Sequence, residues 1–241
     1  MIRTLFVITW TLIATLLMGT LTILLSFFDK TGNLPHSAAR AWARSILRAG
    51  RIRVKVRGLN HIDGSRPCIF MCNHQSNFDI PVLMAHLPAQ FRWLAKAELF
   101  KIPFFGYAMR RAGYISIDRS NRKSAFHSLK KAAEIIRNGT SVIVFPEGTR
   151  SRDGRIGSFK KGGFILAIDS GVPIIPVSLH GTWPIMPKNT LKIRPGRVTI
   201  DIQPPVETSN FTRKGVDVLQ GRVRDTIFSA FNSLQKVNGK C

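Results

Sequence analysis

The amino-acid sequence predicts an α/β fold: a mostly parallel or mixed central sheet flanked by helices, preceded by an N-terminal membrane-associated helical segment. Short apolar or alternating runs, which are typical of strands, are interleaved with amphipathic helical patterns from about residue 51 onward. A long uncharged stretch comes before them, and no internal repeat is visible. We therefore expect a helical segment over residues 1–50 and one α/β domain over residues 51–241.

The first element is predicted to be a membrane helix. The 25 residues from Thr4 to Phe28 include no charged residue, and as a helix they would extend for about 37 Å, enough to cross a hydrocarbon core of roughly 30 Å. Their Thr and Ser hydroxyls can bond back to the preceding turn. Because no small-residue cleavage site ends the stretch, we favour a retained helix over a signal peptide. It would either span the bilayer or form part of a re-entrant helical hairpin.

A short basic helix is predicted next, from Ala38 to Ala49. Ser37 is a suitable N-cap, and Gly50 is a suitable residue to follow the C-terminus. Arginines recur every four residues along it: Arg40, Arg44 and Arg48. Two placements fit this pattern: the helix lies on an anionic bilayer, or it packs on the α/β domain with its arginines in solvent.

The charge of the chain indicates an anionic partner. Lys and Arg number 36 against 13 Asp and Glu, which gives a formal net charge of +23. Nucleic acid, an anionic membrane surface and a phosphorylated substrate would all fit. The basic residues are spread along the chain without a block of five or six, and no nucleic-acid-binding motif is recognisable, so nucleic acid ranks last.

The residues that follow the apolar stretch predict the side of the membrane. Five arginines come soon after it, and the positive-inside rule then places the α/β domain in the cytoplasm: Arg40, Arg44, Arg48, Arg51 and Arg53. The cysteines, Cys68, Cys72 and Cys241, are odd in number and form no CxxC pair. A disulfide framework or a zinc site is therefore not expected, which agrees with a reducing compartment.

The α/β domain contains a series of predicted strands and helices. Strands are predicted at Arg53–Gly58, Cys68–Cys72, Phe91–Lys96, Tyr114–Arg119, Ser141–Phe145 and Val172–Leu179. Four helices are predicted in this domain. The first begins at about Ile80, the second covers Arg122–Asn138, the third ends at about Asp169, and the fourth covers Lys214–Gln235. The segments Leu191–Arg194 and Arg197–Ile202 resemble an edge hairpin around Pro195-Gly196.

Two of these helices have clear apolar sides. In the helix from Arg122 the apolar side is predicted to comprise Phe126, Leu129, Ala133 and Ile136. In the last helix it is predicted to comprise Val216, Leu219, Val223, Ile227, Ala230 and Leu234. Both sides should face the core.

The first candidate site is the polar loop after the strand Cys68–Cys72, because open α/β sheets bind ligands at the carboxyl ends of their strands. His74 and Asp79 lie five residues apart, about 140° around a helix, so they can meet only if His74 stands in the loop and Asp79 begins the helix. Pro81 supports that helix start. An aspartate on one imidazole nitrogen would leave the other as a general base. Alternatively, Asp79 only caps the helix, with Ser76.

A second polar loop follows the strand that ends at Phe145. Within it, Arg150 can bind a phosphate through two hydrogen bonds, and Gly148 lets the backbone approach a ligand closely. Glu147 could accept a hydrogen bond from a substrate hydroxyl or orient Arg150. Two further cations stand at predicted strand ends: Lys96 and Arg119. The alternative is a cluster of surface salt bridges.

Neither nearby nucleophile is well supported. Ser76 is not surrounded by a GxSxG motif, and Cys72 ends an apolar strand, where a thiolate is disfavoured. The base would therefore deprotonate a substrate hydroxyl or water. A cysteine- or serine-dependent thioesterase remains an alternative.

Four motifs together resemble the glycerolipid acyltransferase family, which includes 1-acylglycerol-3-phosphate acyltransferases. They occur in the family's order: NHxxxxD at Asn73–Asp79, GYISIDR at Gly113–Arg119, FPEGTRS at Phe145–Ser151, and VPIIPV at Val172–Val177. The first motif alone is weakly specific, whereas the four in order are highly specific.

The resemblance implies an enzyme whose catalytic domain is residues 51–241. His74, oriented by Asp79, would deprotonate the 2-hydroxyl of lysophosphatidate, which would attack a thioester donor and give phosphatidate without an acyl-enzyme. The donor would be acyl-CoA or acyl carrier protein (acyl-ACP), and no metal or bound cofactor is implied. Another acceptor, such as glycerol 3-phosphate or a different lysolipid, remains possible.

The resemblance also assigns the remaining site residues. The acceptor would be bound by Lys96, Arg119, Glu147, Gly148, Thr149 and Arg150, with the cations on the phosphate and Glu147 near the glycerol. Backbone donors near the first loop would stabilise the oxyanion. Apolar residues could line an acyl tunnel or touch the bilayer, or simply belong to the core: Phe104, Phe105, Tyr107 and Met109.

Overall fold

The computed structural model describes residues 1–238, with the side chains of residues 122 and 236–238 set aside, so Cys241 lies outside the described residues. The helices are α1 (Ile2–Phe28), α2 (Asn33–Ala49), α3 (Asp79–His86), α4 (Phe105–Arg111), α5 (Arg122–Arg137), α6 (Gly162–Ser170) and α7 (Val216–Asn238). The strands are β1 (Ile52–Arg57), β2 (Ile69–Cys72), β3 (Arg92–Lys96), β4 (Ile115–Ile117), β5 (Val142–Val144), β6 (Ile174–His180) and β7 (Gly196–Ile202).

The described strands form one mixed sheet in the order β1-β7-β6-β2-β5-β3-β4. Every neighbouring pair is parallel except β6 and β7. β2 lies between β5 and β6, and all of its residues are buried, as both faces of a central strand are covered in such sheets. The loops that follow β2 and β5 therefore leave the sheet side by side.

Helices cover both faces of the sheet and make a three-layer α/β architecture. One core contains apolar residues of α1, α2 and α3, and the other contains residues of α5, α6 and α7. Alternate residues of β2 enter opposite cores, Phe70 on the first side and Met71 on the second. This confirms the predicted fold class.

The last helix agrees with its predicted pattern, because all of the named inward residues are buried: Val216, Leu219, Val223, Ile227, Ala230 and Leu234. In α5 the predicted apolar side was wrong near the N-terminal end of the helix. Ala133 and Ile136 are buried, whereas Phe126 is 53% exposed, and Ala132 enters the core near the C-terminal end of the helix.

The predicted hairpin over residues 191–202 was wrong. Residues 191–195 form no strand, and β7 lies inside the sheet, antiparallel to β6 and parallel to β1. The local turn signal at Pro195-Gly196 suggested a partner close in sequence. The buried Val198, Ile200 and Ile202 alternate along β7 and place one of its faces on the core, while the preceding strand β6 and the distant strand β1 pair with its two edges.

Helix α1 agrees with its predicted extent, and it is the one described helix that is long and apolar enough to cross a membrane. The hydroxyls of Thr11 and Thr15 donate to carbonyls one turn earlier. Its other side exposes large apolar residues: Leu5, Phe6, Leu12, Ile13, Leu16, Leu17, Leu21, Leu24, Phe27 and Phe28. This exposed surface is consistent with membrane association.

Helices α1 and α2 form a hairpin that packs on the domain. The indole of Trp10 donates to Ser45 Oγ (3.2 Å), the indole of Trp42 donates to Thr15 Oγ1 (3.1 Å), and Arg111 Nε of α4 donates to Ser26 Oγ (2.7 Å). One side of α1 thus packs against the rest of the protein, and the other side is exposed.

Helix α2 begins earlier than predicted. It starts at Asn33, directly after Gly32, whose φ of 78° lies in the left-handed region. Pro35 falls in the first turn of this helix, where proline is tolerated. Ser37 lies inside the helix and donates to the carbonyl of Asn33 (3.0 Å) instead of capping it. Of the two placements considered, the packed one is observed: Ala43, Ile46 and Leu47 are buried. Two arginines of this helix are exposed, namely Arg44 and Arg48.

Candidate active site

His74 and Asp79 are in contact at the carboxyl end of β2. The Nδ1 atom of His74 lies 2.7 Å from Oδ2 of Asp79, whose side chain is 0% exposed. A carboxylate can only accept, so this contact places a proton on Nδ1 and leaves Nε2 unprotonated in the neutral ring. His74 stands in the loop and Asp79 is the first residue of α3, the arrangement that their spacing requires.

Asp79 also organises the loop that precedes the helix. Its Oδ2 accepts hydrogen bonds from the backbone N–H of Gln75 (2.6 Å) and of Ser76 (2.8 Å), while Ser76 Oγ accepts from the N–H of Phe78 (3.2 Å). The N-cap of α3 is Phe78, which has no side-chain cap hydrogen bond, so these bonds close the loop ahead of the helix and do not cap the helix itself. The alternative that Asp79 only caps the helix with Ser76 is therefore not observed, and the buried carboxylate holds both the loop and the histidine.

Glu147 fixes the two loops to each other. Its Oε1 accepts from the backbone N–H of His74 (2.7 Å) and its Oε2 accepts from the N–H of Gly157 (2.8 Å). Burial raises the pKa of the Glu147 carboxyl, and these two hydrogen bonds oppose that shift. The N–H of Ser151 also donates to the carbonyl of His74 (2.8 Å). Glu147 is buried and does not line the cavity, in contrast to the expected contact with substrate.

An aromatic stack supports the imidazole ring from one face. The rings of His74 and Phe145 are parallel within 10° with centroids 3.9 Å apart, and Trp93 stacks behind Phe145 at 5.7 Å. Asn73 holds the loop from the other direction, since its side-chain amide exchanges two 2.8 Å hydrogen bonds with the backbone of Leu179. The histidine is therefore fixed through its backbone, its Nδ1 atom and one ring face.

One cavity of about 470 Å³ joins most of the predicted residues. Its lining includes His74, Lys96, Arg119, Gly148, Thr149 and Arg150. The cationic side chains come from different strand ends, β3, β4 and β5, which the parallel sheet places along one edge. Among the described residues, no carboxylate lies within ion-pair distance of Lys96, Arg119 or Arg150. The salt-bridge cluster considered for this loop is thus not formed.

The rest of the cavity wall is mainly apolar. Phe104, Phe105 and Met109 line it as one alternative predicted, whereas Tyr107 is outside the lining and exposed. The hairpin of α1 and α2 contributes a further part of the wall: Thr15, Met18, Gly19, Thr22, Ala39 and Trp42. A polar, cationic end and an apolar body suit an amphipathic ligand.

Neither alternative nucleophile is suitably placed. Ser76 is fully buried, and its hydroxyl donates to the carbonyl of Met186 (2.8 Å). Cys72 is fully buried too, and desolvation raises the pKa of its thiol well above the usual value. These environments disfavour the thioesterase alternative.

Sequence reasoning missed several contributors to this site. Trp93 and Lys188 line the cavity, and Asn73 anchors the His74 loop although its place in the NHxxxxD motif predicted no role for its side chain. Trp93 precedes Lys96 on β3 and could have been found from that strand. Lys188 lies in the long segment between β6 and β7, outside every recognised motif, so no local signal marked it.

With this geometry established, comparison with known proteins gives the family. The family model described as "Acyltransferase" matches residues 53–180, which include β1 to β6 and both site loops. The chain belongs to the acyltransferase family.

The names of individual relatives are more specific than the description of the family. The chain is 38% identical over 194 residues to the chloroplastic 1-acyl-sn-glycerol-3-phosphate acyltransferase LPAT1 of Arabidopsis thaliana, a match over 80% of this chain and 52% of that protein. It is 34% identical over 184 residues to the human 1-acyl-sn-glycerol-3-phosphate acyltransferase alpha, over 76% and 65% respectively. The chain thus spans about half to two thirds of the length of these relatives.

One solved structure matches nearly the whole chain. It is the 1-acyl-sn-glycerophosphate acyltransferase PlsC of Thermotoga maritima, which is 31% identical, with a TM-score of 0.83 and 97% of each chain covered. The similarity therefore extends over the N-terminal hairpin as well as the α/β domain.

Proposed function

We propose that this protein transfers a fatty acyl group from a thioester donor to the 2-hydroxyl of a 1-acylglycerol 3-phosphate and so produces phosphatidate. The observation that carries the proposal is the His74–Asp79 pair at the polar end of a cavity that is cationic at one end and apolar in its body. The names of the relatives above support the choice of acceptor.

In the proposed reaction His74 acts as general base. Asp79 holds the proton on Nδ1, so Nε2 takes the proton of the acceptor hydroxyl as its oxygen attacks the thioester carbonyl. The imidazolium that forms is stabilised by the buried carboxylate of Asp79, and it then protonates the departing thiolate. Backbone N–H groups near the loop stabilise the oxyanion of the tetrahedral intermediate. The acyl group moves directly to the acceptor, since neither Cys72 nor Ser76 is placed to carry it.

The cationic lining binds the acceptor phosphate. Arg119, Arg150 and Lys96 approach from three strand ends, and Thr149 and Gly148 contact the acceptor from the loop after β5. Glu147 has a different task from the one expected. Because both of its oxygens are occupied by backbone N–H groups, it positions the His74 loop.

The donor is acyl-CoA or acyl-ACP, and it is a co-substrate that the protein does not retain. Both donors present the same thioester, so the chemistry at His74 is the same for either. The apolar cavity wall formed by α1, α2 and the region around α4 receives acyl chains.

The protein acts at a membrane with its α/β domain on the cytoplasmic side. The arginines after α1 support this side by the positive-inside rule. Because α1 packs on the domain and also lines the cavity, its exposed apolar side meets the bilayer next to the site. Anionic lipid headgroups fit the net charge of +23.

The test is the variant His74→Ala, assayed with lysophosphatidate and both donor types. Loss of the base is expected to lower acyl transfer by roughly 100-fold or more, while circular dichroism and membrane retention stay normal. Near-normal turnover would refute the proposed mechanism. A panel with glycerol 3-phosphate and other lysolipids in the same assay tests the acceptor.

A further inference from the structure

A lysine outside the four motifs faces the same cavity. Lys188 lies between β6 and β7, is partly buried, and belongs to the cavity lining together with Arg150. The segment that carries it is tied to the His74 loop, since Ser76 Oγ donates to the carbonyl of Met186 (2.8 Å). The backbone that carries Lys188 is thus held near the His74 loop, and its side chain is held near Thr149 and Arg150 in the loop after β5.

The backbone at Lys188 adopts a specialised turn. The N–H of Thr190 bonds to the carbonyl of Pro187 (3.3 Å), and Asn189 lies in the left-handed region with φ 66°. A positive φ at the third position is the signature of a type II turn, which Asn tolerates better than most other residues. The turn places Lys188 at its tip.

The side chain of Lys188 is fixed but keeps hydrogen-bonding capacity. Its Nζ donates to Thr149 Oγ1 (3.1 Å) and to the carbonyl of Arg150 (3.2 Å). An ammonium group has three donors, so one remains. No carboxylate among the described residues lies within ion-pair distance of Lys188. A fixed charge with an unused donor, beside other unpaired cations, suits an anionic ligand.

We propose that Lys188 binds the phosphate of the acceptor together with Arg150 and makes the site selective for acceptors that carry a phosphate. This inference rests on the proposed function and adds a specificity-determining residue to it. Without a phosphate, the ammonium would keep its two protein contacts and its charge would stay uncompensated.

The experiment compares Lys188→Met and Lys188→Arg with Lys192→Met, which removes the same charge from an exposed position outside the cavity lining. Binding of lysophosphatidate and of uncharged monoacylglycerol to the full-length protein in neutral detergent is followed by tryptophan fluorescence, because Trp42 and Trp93 line the cavity. Turnover of lysophosphatidate is measured in parallel.

Lys188→Met is expected to weaken lysophosphatidate binding by roughly tenfold to a hundredfold, the range of a charge-assisted hydrogen bond, and to leave monoacylglycerol binding within about twofold. Lys188→Arg should restore most of the loss, and Lys192→Met should resemble the natural protein. Unchanged lysophosphatidate binding in Lys188→Met, or equal weakening for both lipids, would overturn the proposal. If lysophosphatidate binds through Lys188 but is never acylated, the proposed function fails and the anion site stands.

Discussion

The imidazole of His74 contacts Asp79 and Phe145, which lie far from each other in the sequence. Asp79 accepts from Nδ1, and Phe145, which comes 71 residues after His74 (145 − 74), stacks on the ring face. The first contact prevents the ring from flipping, and the second restricts its tilt. In the proposed reaction, both contacts stabilise the imidazolium that forms when His74 takes the proton of the acceptor, the carboxylate by its charge and the aromatic face by its quadrupole.

At the residue scale, we predict that Phe145→Leu lowers kcat roughly two- to thirtyfold, because cation–π stabilisation of an imidazolium contributes about 0.5–2 kcal/mol. The KM values for both substrates should change little, since Phe145 supports the base. Steady-state kinetics with lysophosphatidate and acyl-CoA measure both parameters. Phe145→Tyr keeps the aromatic face and is the matched control. A Leu variant as active as the Tyr variant would contradict the role of the ring.

Among the secondary-structure elements, α1 and α4 meet at an unusually close contact. A Cβ atom on Gly19 of α1 would lie 2.7 Å from Cε1 of Phe104, which is closer than such atoms approach in proteins. Phe104 itself has φ 60° and ψ −62°, and the N–H of Phe105 bonds to the carbonyl of Pro103 (2.6 Å), which makes a strained γ-turn. Both Gly19 and Phe104 line the cavity, so this contact shapes its apolar part.

At the element scale, we predict that Gly19→Ala reduces kcat/KM about fivefold or more with a palmitoyl donor, because overpacking of about 1–3 kcal/mol displaces the Phe104 ring. The kcat/KM with an octanoyl donor should change by less than about twofold, since the shorter acyl chain occupies less of the cavity. Alanine is a better helix former than glycine, so helix propensity does not explain a loss.

Gly64→Ala serves as the control for this substitution, because a Cβ at Gly64 meets no atom within 4 Å. It should leave both donors unaffected. An equal fall with both donors in Gly19→Ala would mean that the contact supports folding and not the shape of the acyl region.

At the scale of the whole molecule, one side of the protein combines the cavity, the α1–α2 hairpin and an exposed apolar surface. That surface belongs to a chain with a net charge of +23, which attracts an anionic bilayer before any apolar contact forms. The cavity is lined both by His74 and by residues of α1, so a lipid bound as proposed above would reach the reacting groups from the side of this helix.

We predict that the double variant Leu12→Asp, Leu16→Asp releases the protein from membranes. These leucines are 63% and 60% exposed, so their replacement should leave the fold intact, whereas each carboxylate costs about 2.5–3.5 kcal/mol in a bilayer interior. Fractionation with alkaline carbonate measures the effect. Val218→Asp on α7, at a position 68% exposed, is the control and should remain bound. Full retention of the double variant would contradict the membrane contact of α1.

The sequence by itself determined the fold class, most of the strands and helices, and the condition under which His74 and Asp79 can meet. These features depend on local information: the periodicity of apolar residues, turn and capping chemistry, and the angle between two positions in one short segment. The inward side of α7 was predicted for the same reason, because a regular helix repeats its faces along its whole length, and among the described side chains of this helix only the buried Phe231 was missed.

Only the tertiary structure decided the interior position of β7, the packing of α1 and α2 on the domain, the contact of Glu147 with backbone N–H groups, and the presence of Lys188 in the cavity. Each depends on partners that are distant in the chain. Strand pairing and loop contacts are selected by the total burial and hydrogen bonding of the folded molecule, which no single segment encodes. The segment that carries Lys188 shows this clearly, because its place beside the cavity depends on where β6 ends and β7 begins.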